Sequence, residues 1–172
     1  LSHPDCGHLF ADLDTVILTK TITGFDSVTI AELRERIRDA AAGRLGRLKF
    51  LVVDFAHAGH AGPANSDEFD ALITEAANLI LSAPIVLIAN ARGPMAGADI
   101  EFALACSMLV GEAGAEFSFA EDPSVSMETY GFLAQKLGFV RAERLMESGE
   151  ILTAQQMHDL LLLKDVIDDS EG

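Results

Sequence analysis

The chain has 172 residues, and its 49% hydrophobic content is enough for the core of one domain. Its formal net charge of −15 argues against nucleic acids and anionic membranes as partners. Two cysteines make neither a disulfide framework nor a metal cluster, and no apolar run reaches the roughly 18 residues of a membrane span. Without a visible secretory signal, we expect one cytoplasmic domain over residues 1–172, with an acidic tail from about residue 168.

Apolar spacing and turn residues predict strands that alternate with helices in the first half of the chain. Thr29 and Glu32 have the spacing of a capping box, which predicts that a helix begins at Thr29. The apolar run KFLVVDF predicts a strand buried in a sheet. The predicted elements of this half are strands within residues 9–21 and 49–55 and helices over residues 29–43 and 65–81.

The stretch from residue 84 to residue 121 is the most informative part of the chain. It begins with an apolar run typical of a strand covered on both faces, continues through a glycine-rich turn at residues 93–97, and then shows helical spacing. The predicted elements of this half are strands at residues 85–89, 116–121 and 164–167 and helices at residues 100–107, 128–137, 140–148 and 153–161. The whole pattern predicts an α/β domain with a mostly parallel, buried sheet and flanking helices.

Two glutamates in this stretch occupy positions that packing alone does not require. Alternation places Glu121 on the same face as Phe117 and Phe119, where desolvation would raise the pKa of its carboxyl group. Glu101 lies near the start of a helix, where the macrodipole favours the ionised form. Two carboxyl groups in such different environments can divide the acid and base roles of a reaction. The alternatives are a carboxylate that complements the helix dipole for Glu101 and a solvent-facing strand end for Glu121.

Five motifs in this order resemble the crotonase superfamily, which contains the enoyl-CoA hydratases and isomerases. They are the proline-led strand at Pro84, the glycine turn and helix GPMAGADIE, the strand AEFSFAE, the helix RAERLM, and the C-terminal pair TAQQ and LLKDVI. The resemblance implies the ClpP/crotonase fold, with a mostly parallel sheet, flanking helices and a shortened C-terminal helical part. It also implies a homo-oligomer, either a trimer or a multiple of one.

By position, the resemblance implies a two-glutamate site with Glu101 as base and Glu121 as acid. Ala98 falls where a backbone N–H forms part of an oxyanion hole, and Ala61 or Gly62 is the counterpart in the preceding loop. The implied activity is hydration or dehydration of a small-molecule acyl thioester, carried by coenzyme A or by an acyl carrier protein. Such a lyase of fatty acid metabolism uses no metal and no cofactor beyond the thioester itself.

The segment YGFLAQK, at residues 130–136, and the pair Arg92-Gly93 further resemble the diffusible signal factor synthases. Those enzymes dehydrate a 3-hydroxyacyl carrier-protein thioester and release the free acid. This resemblance implies that Tyr130 and Arg92 contact the substrate. The alternatives are helix packing for Tyr130 and a surface position for Arg92.

Several departures from the superfamily pattern lie on the ligand side and keep two non-enzymatic functions open. The first oxyanion loop is compressed to DFAHAGHAGPAN, Asp99 replaces the third glycine of the turn, and Leu161 replaces a glycine near the C-terminus. One alternative is a crotonase-like binding or scaffold protein that has lost the coenzyme A pocket, and another is a structural subunit of a larger assembly. His57 and His60 lack a clear third metal ligand, so we expect them to be solvated loop residues.

Overall fold

The computed structural model describes residues 14–19, 25–56, 67–119 and 127–168. In chain order the elements are β1 (Thr15–Thr19), α1 (Ser27–Ala41), β2 (Phe50–Phe55), α2 (Asp67–Ser82), β3 (Val86–Ala91), β4 (Pro94–Ala96), α3 (Ala98–Ala105), β5 (Met108–Glu112), β6 (Glu116–Ser118), α4 (Met127–Leu137), α5 (Phe139–Ser148), β7 (Ile151–Thr153), α6 (Ala154–Asp159) and β8 (Val166–Ile167). The predicted α/β class with a mostly parallel sheet is therefore confirmed.

Among the described residues, five parallel strands form the main sheet, in the order β1-β2-β3-β5-β8. Apolar side chains at alternate positions of β2 and β3 meet in register, and Leu51 pairs with Leu87. Neither of these two leucines has any exposed surface, and the same holds for Val53 and Phe55. Because all five strands point the same way, the polar residues at their carboxyl ends gather at one edge of the sheet.

A second sheet contains three strands, in the order β4-β6-β7. Strand β4 runs parallel to β6 with Met95 opposite Phe117, and β7 runs antiparallel to β6 with Leu152 opposite Phe117. The prediction of a turn over residues 93–97 is therefore wrong for its central residues, because Pro94–Ala96 forms strand β4. Strands β5 and β7 have no counterpart among the predicted elements.

Helix α1 begins earlier than the capping-box prediction. Asp26 is its N-cap, and the Asp26 side chain accepts a hydrogen bond from the Thr29 N–H at 2.8 Å. The prediction that Thr29 caps the helix together with Glu32 is wrong, because the upstream carboxylate takes this role and Thr29 is buried inside the first turn. The hydrogen bond from the Thr29 backbone is also the main reason why the pKa of Asp26 lies below its ordinary value.

Helices α1 and α2 pack against each other and share an ion-pair cluster. The Glu75 carboxylate on α2 lies 2.8 Å from the Arg34 guanidinium and 2.5 Å from the Arg38 guanidinium, both on α1. Desolvation raises the pKa of Glu75, but hydrogen bonds and charge from the two arginines outweigh it, so the pKa lies below its ordinary value.

Helix α6 is shorter than predicted and ends in a Schellman motif. The Leu161 N–H donates to the His158 carbonyl at 2.8 Å, and the Leu162 N–H donates to the Met157 carbonyl at 3.0 Å. Leu161 occupies the position that this motif usually gives to glycine, and its φ of 61° is a value that glycine adopts without strain. Leu161 thus stands where the crotonase resemblance leads us to expect a glycine, and the backbone there has glycine-like geometry.

Other predictions concern the ends of the chain and its core. Strand β1 lies within residues 9–21, where strands were predicted, whereas nearly all of the acidic tail lies outside the described residues. Cys106 is buried in the core, and burial raises the pKa of its thiol. Within the described ranges, no helix combines the length and apolar character needed to cross a membrane.

Candidate functional site

Helix α3 carries two of the predicted site residues, and all of its residues are buried. Its sequence ADIEFALA is apolar around most of its circumference, and it contacts α2, α4, β3, β4 and β5. Ala98 has no exposed surface, and Glu101 is 1% exposed. Removing a carboxylate from water to this extent costs on the order of several kcal/mol before compensating polar contacts are counted. Packing alone therefore does not explain a glutamate at position 101.

The start of α3 presents backbone donors next to this carboxylate. Gly97 is the N-cap and makes no side-chain capping bond, while the Glu101 N–H donates to the Gly97 carbonyl at 3.1 Å. The Ala98 N–H belongs to the first turn, where no intrahelical acceptor exists. Positive φ at the start of α3 falls on Gly97, at 54°, so Ala98, where the crotonase resemblance leads us to expect a glycine, introduces no backbone strain.

Thr129 on α4 is a polar neighbour of the Glu101 carboxylate. Its Oγ1 donates a hydrogen bond to Glu101 Oε2 at 3.3 Å, and both residues are 1% exposed. The bond orients the carboxylate and offsets part of its desolvation. Sequence reasoning missed Thr129, although it directly precedes Tyr130 in the segment that resembles the diffusible signal factor synthases.

A second buried carboxylate lies in the same helical turn. Asp99 is 1% exposed and is the residue next to Ala98. A carboxylate in the first turn interacts favourably with the helix dipole. For the same reason it reduces the positive potential that this turn offers to any other anion, including a developing oxyanion.

Arg92 belongs to a polar cluster at the carboxyl ends of three parallel strands. Its Nε lies 3.0 Å from Asp54 Oδ1 and 3.2 Å from Glu112 Oε1. The Nε–H points at neither oxygen, so these contacts are ion pairs rather than hydrogen bonds. Asn90 Nδ2 also donates to Asp54 Oδ1, at 2.8 Å. Two carboxylates thus neutralise the Arg92 charge, and its contact with a substrate stays a prediction.

The remaining predicted site residues are divided between α4 and parts of the chain that are not described. Tyr130 is partly buried and packs against the hydrophobic core. The predicted residues outside the described ranges are Glu121, Ala61, Gly62, His57 and His60. Among the described residues, no group of three or more histidine, cysteine, aspartate or glutamate side chains could hold a metal ion. The structure thus brings Ala98 and Glu101 together on α3.

Comparison with known proteins identifies the fold. No protein-family profile matches the sequence, and no curated protein matches it. An enoyl-CoA hydratase from Mycobacterium avium subsp. paratuberculosis K-10 aligns with 99% of this chain and 74% of its own, at a TM-score of 0.77 and 19% identity. A monofunctional enoyl-CoA isomerase from M. smegmatis aligns with 91% of this chain and 74% of its own, at a TM-score of 0.75 and 18% identity.

This chain has the crotonase fold. An enoyl-CoA hydratase/carnithine racemase from Magnetospirillum magneticum is also similar, over 98% of this chain and 70% of its own, with a TM-score of 0.77 and 17% identity. The ClpP/crotonase fold predicted from the motifs is therefore confirmed. Identities this low show the fold alone, so the chemistry has to be argued from the residues of this chain.

Proposed function

We propose that this crotonase-fold chain is an acyl-thioester hydratase or dehydratase that uses Glu101 and Glu121 as its catalytic carboxyl groups. The buried Glu101 carboxylate at the start of α3, beside the backbone of Ala98, carries the proposal. Glutamate is almost never fully buried for packing reasons, whereas general bases are commonly held in such desolvated sites. Solved structures of the same fold are named enoyl-CoA hydratase and enoyl-CoA isomerase, which supports an enoyl thioester as the substrate class.

In the hydration direction, Glu101 accepts a proton from water while the water oxygen forms a bond to C3 of the enoyl thioester. The electron pair of the C2=C3 bond moves toward the thioester carbonyl, whose oxygen becomes enolate-like. The Ala98 N–H and an N–H from Ala61 or Gly62 stabilise this oxygen. Glu121 then gives a proton to C2, which yields a 3-hydroxyacyl thioester.

Dehydration is the reverse sequence, and neither direction transfers electrons to or from another molecule. The substrate is a thioester of coenzyme A or of an acyl carrier protein, and the reaction needs no further cofactor. Thr129 acts as a positioning residue, because its hydroxyl fixes one oxygen of the Glu101 carboxylate.

A direct assay tests this proposal. Purified protein is incubated with short- and medium-chain enoyl and 3-hydroxyacyl thioesters of coenzyme A and of acyl carrier protein, and the enoyl absorbance is followed. We expect turnover that falls at least about 100-fold in Glu101→Gln and in Glu121→Gln. Glu116→Gln is the matched control, since Glu116 is an exposed glutamate on β6 and its loss should leave the rate unchanged. Absence of turnover on every thioester would contradict the proposal.

A non-catalytic binding or scaffold protein is the second candidate, and Asp99 favours it. Its carboxylate lies in the turn of α3 that would have to stabilise the oxyanion. Calorimetry with butyryl-CoA separates the candidates, using the wild type and the neutral, nearly isosteric Asp99→Asn variant. An enzyme binds the thioester in its wild-type form, whereas a scaffold that has lost the pocket gives no heat with either protein.

A further inference from the structure

A cavity lies just beyond the C-terminal end of α3. It has a volume of about 530 Å³ and is lined by Ser107, Met108, Leu109, Lys136, His158 and residues 161–164. Helix α3 ends at Ala105, four residues after Glu101, which is about 6 Å along the helix axis at about 1.5 Å per residue. None of Ala98, Glu101 and Thr129 is among the described residues that line this cavity, so it is distinct from the candidate active site. Its volume is within the range of small-molecule sites, about 300–1,000 Å³.

The polar groups of this cavity are suited to an anion. Lys136 and Lys164, two of the four lysines in a chain with a net charge of −15, line it together with the His158 imidazole. Among the described lining residues there is no aspartate or glutamate, and Asp159 Oδ1 lies 3.9 Å from His158 Nδ1. Among the described residues, neither lysine ammonium has a carboxylate within 4.0 Å.

The backbone around the lysines is held in place by hydrogen bonds. The Lys164 N–H donates to the Leu109 carbonyl at 2.7 Å, which ties the segment after α6 to the start of β5. Ser107 Oγ accepts a bond of 3.2 Å from the Leu87 N–H. Since a hydroxyl can accept and donate at once, the Ser107 O–H can still donate into the cavity. The Lys164 backbone and the Ser107 hydroxyl are thus held in place before any ligand arrives, which favours binding.

Leu161 gives the cavity an apolar wall that protein stability does not explain. Its side chain is 85% exposed, so it contributes little to the core. Its φ of 61° is strained for any residue with a Cβ, and glycine would remove that strain. A large apolar side chain at such a position is better accounted for by contact with a ligand, alongside the apolar Met108 and Leu109.

We propose that this cavity, the Lys136–Lys164 pocket, binds a small organic anion, in which a carboxylate or phosphate group is attached to an apolar chain. The anionic group meets the two lysines, His158 and the Ser107 hydroxyl. The apolar chain lies against Leu161 and Met108. The site does not depend on the proposed hydratase activity.

Methyl-labelled protein can test the pocket by NMR titration, with the methyl signals of Met108 and Leu161 as reporters. The probes are octanoate, octyl phosphate, octanol and inorganic phosphate. We expect saturable shifts with a Kd below about 1 mM for octanoate or octyl phosphate, and affinities at least about tenfold weaker for octanol and inorganic phosphate. The preferred anion distinguishes a carboxylate ligand from a phosphate ligand.

Variants of the pocket provide the control. Lys136→Gln and Lys164→Gln should each weaken binding at least about fivefold, whereas Lys49→Gln removes the same charge from a lysine that does not line the cavity and should leave the Kd unchanged. Three results would each overturn the proposal. Octanol could bind as tightly as the anions, or the three variants could lose the same binding affinity. The third is the absence of a saturable shift at 10 mM probe, about ten times the expected Kd. A Lys136→Gln variant that melts at lower temperature yet binds normally would also overturn it, because Lys136 would then serve only the end of α4.

Discussion

Replacing Leu161 with glycine should stabilise the protein although it deletes a large side chain. The φ of 61° costs a residue with a Cβ about 1–2 kcal/mol, and glycine avoids this cost. Glycine in turn makes the unfolded chain more flexible, which offsets about 0.4–1 kcal/mol. Full burial of a leucine side chain stabilises a protein by about 1.5–3 kcal/mol. Because Leu161 is 85% exposed, removing its side chain should cost only about 0.3 kcal/mol of stability. We therefore expect Leu161→Gly to raise the free energy of unfolding by about 0.5 kcal/mol.

Leu161→Ala separates the backbone effect from the loss of the side chain, because it removes the same contacts but keeps the Cβ. It should lose about 0.3 kcal/mol, so the glycine variant should be more stable by about 1 kcal/mol. For a domain of this size the difference corresponds to about 2–4 °C in Tm. Urea unfolding at 25 °C and calorimetric melting measure it. If the alanine variant proved as stable as the glycine variant, the strain assigned to this position would be refuted.

Two further predictions concern electrostatics at α1 and α2. Glu75→Gln should lower the free energy of unfolding by about 0.5–1 kcal/mol at pH 7, because Arg34 and Arg38 lose their partly exposed partner. Because the pKa of Glu75 in the folded protein lies below the ordinary value of 4.5, this stabilisation is present above pH 4.5 and disappears as the pH falls below it. A difference in the free energy of unfolding between wild type and Glu75→Gln that persists at pH 2 would contradict the role assigned to the ionised carboxylate. Asp26→Ala should cost about 1 kcal/mol in urea unfolding, whereas Asp26→Asn, which can still accept the Thr29 N–H, should cost less than half as much; equal losses would show that the N-cap bond is unimportant.

The apolar runs predicted the strands of the main sheet well where the signal was strong. KFLVVDF predicts residues 49–55, and β2 occupies Phe50–Phe55. Strand β5, MLVGE, was missed because it directly follows the apolar helix α3 and neither a proline nor a glycine separates the two. The start of α1 was mispredicted because the Thr29–Glu32 spacing resembles a capping box, whereas the Asp26 side chain three residues upstream of Thr29 caps the helix. Local patterns therefore predict the existence of elements better than their ends.

Helix α3 shows why the candidate site could be predicted only in part. The motif GPMAGADIE indicated Ala98 and Glu101, and the structure puts both on one buried helix. No periodicity could have shown that Asp99 and Glu101 are both buried, because burial on every side comes from neighbouring elements that are distant in sequence. The hydroxyl of Thr129 reaches Glu101 from a helix 28 positions along the chain, which no local pattern encodes.

The kinetics of Glu101→Gln test the central claim most directly. The measurement is kcat on enoyl and 3-hydroxyacyl thioesters for the wild type, Glu101→Gln and the control Glu116→Gln, with folding checked by circular dichroism. The account predicts measurable wild-type turnover that falls at least about 100-fold in Glu101→Gln and stays unchanged in Glu116→Gln. A folded Glu101→Gln variant that turns over as fast as the wild type would contradict it.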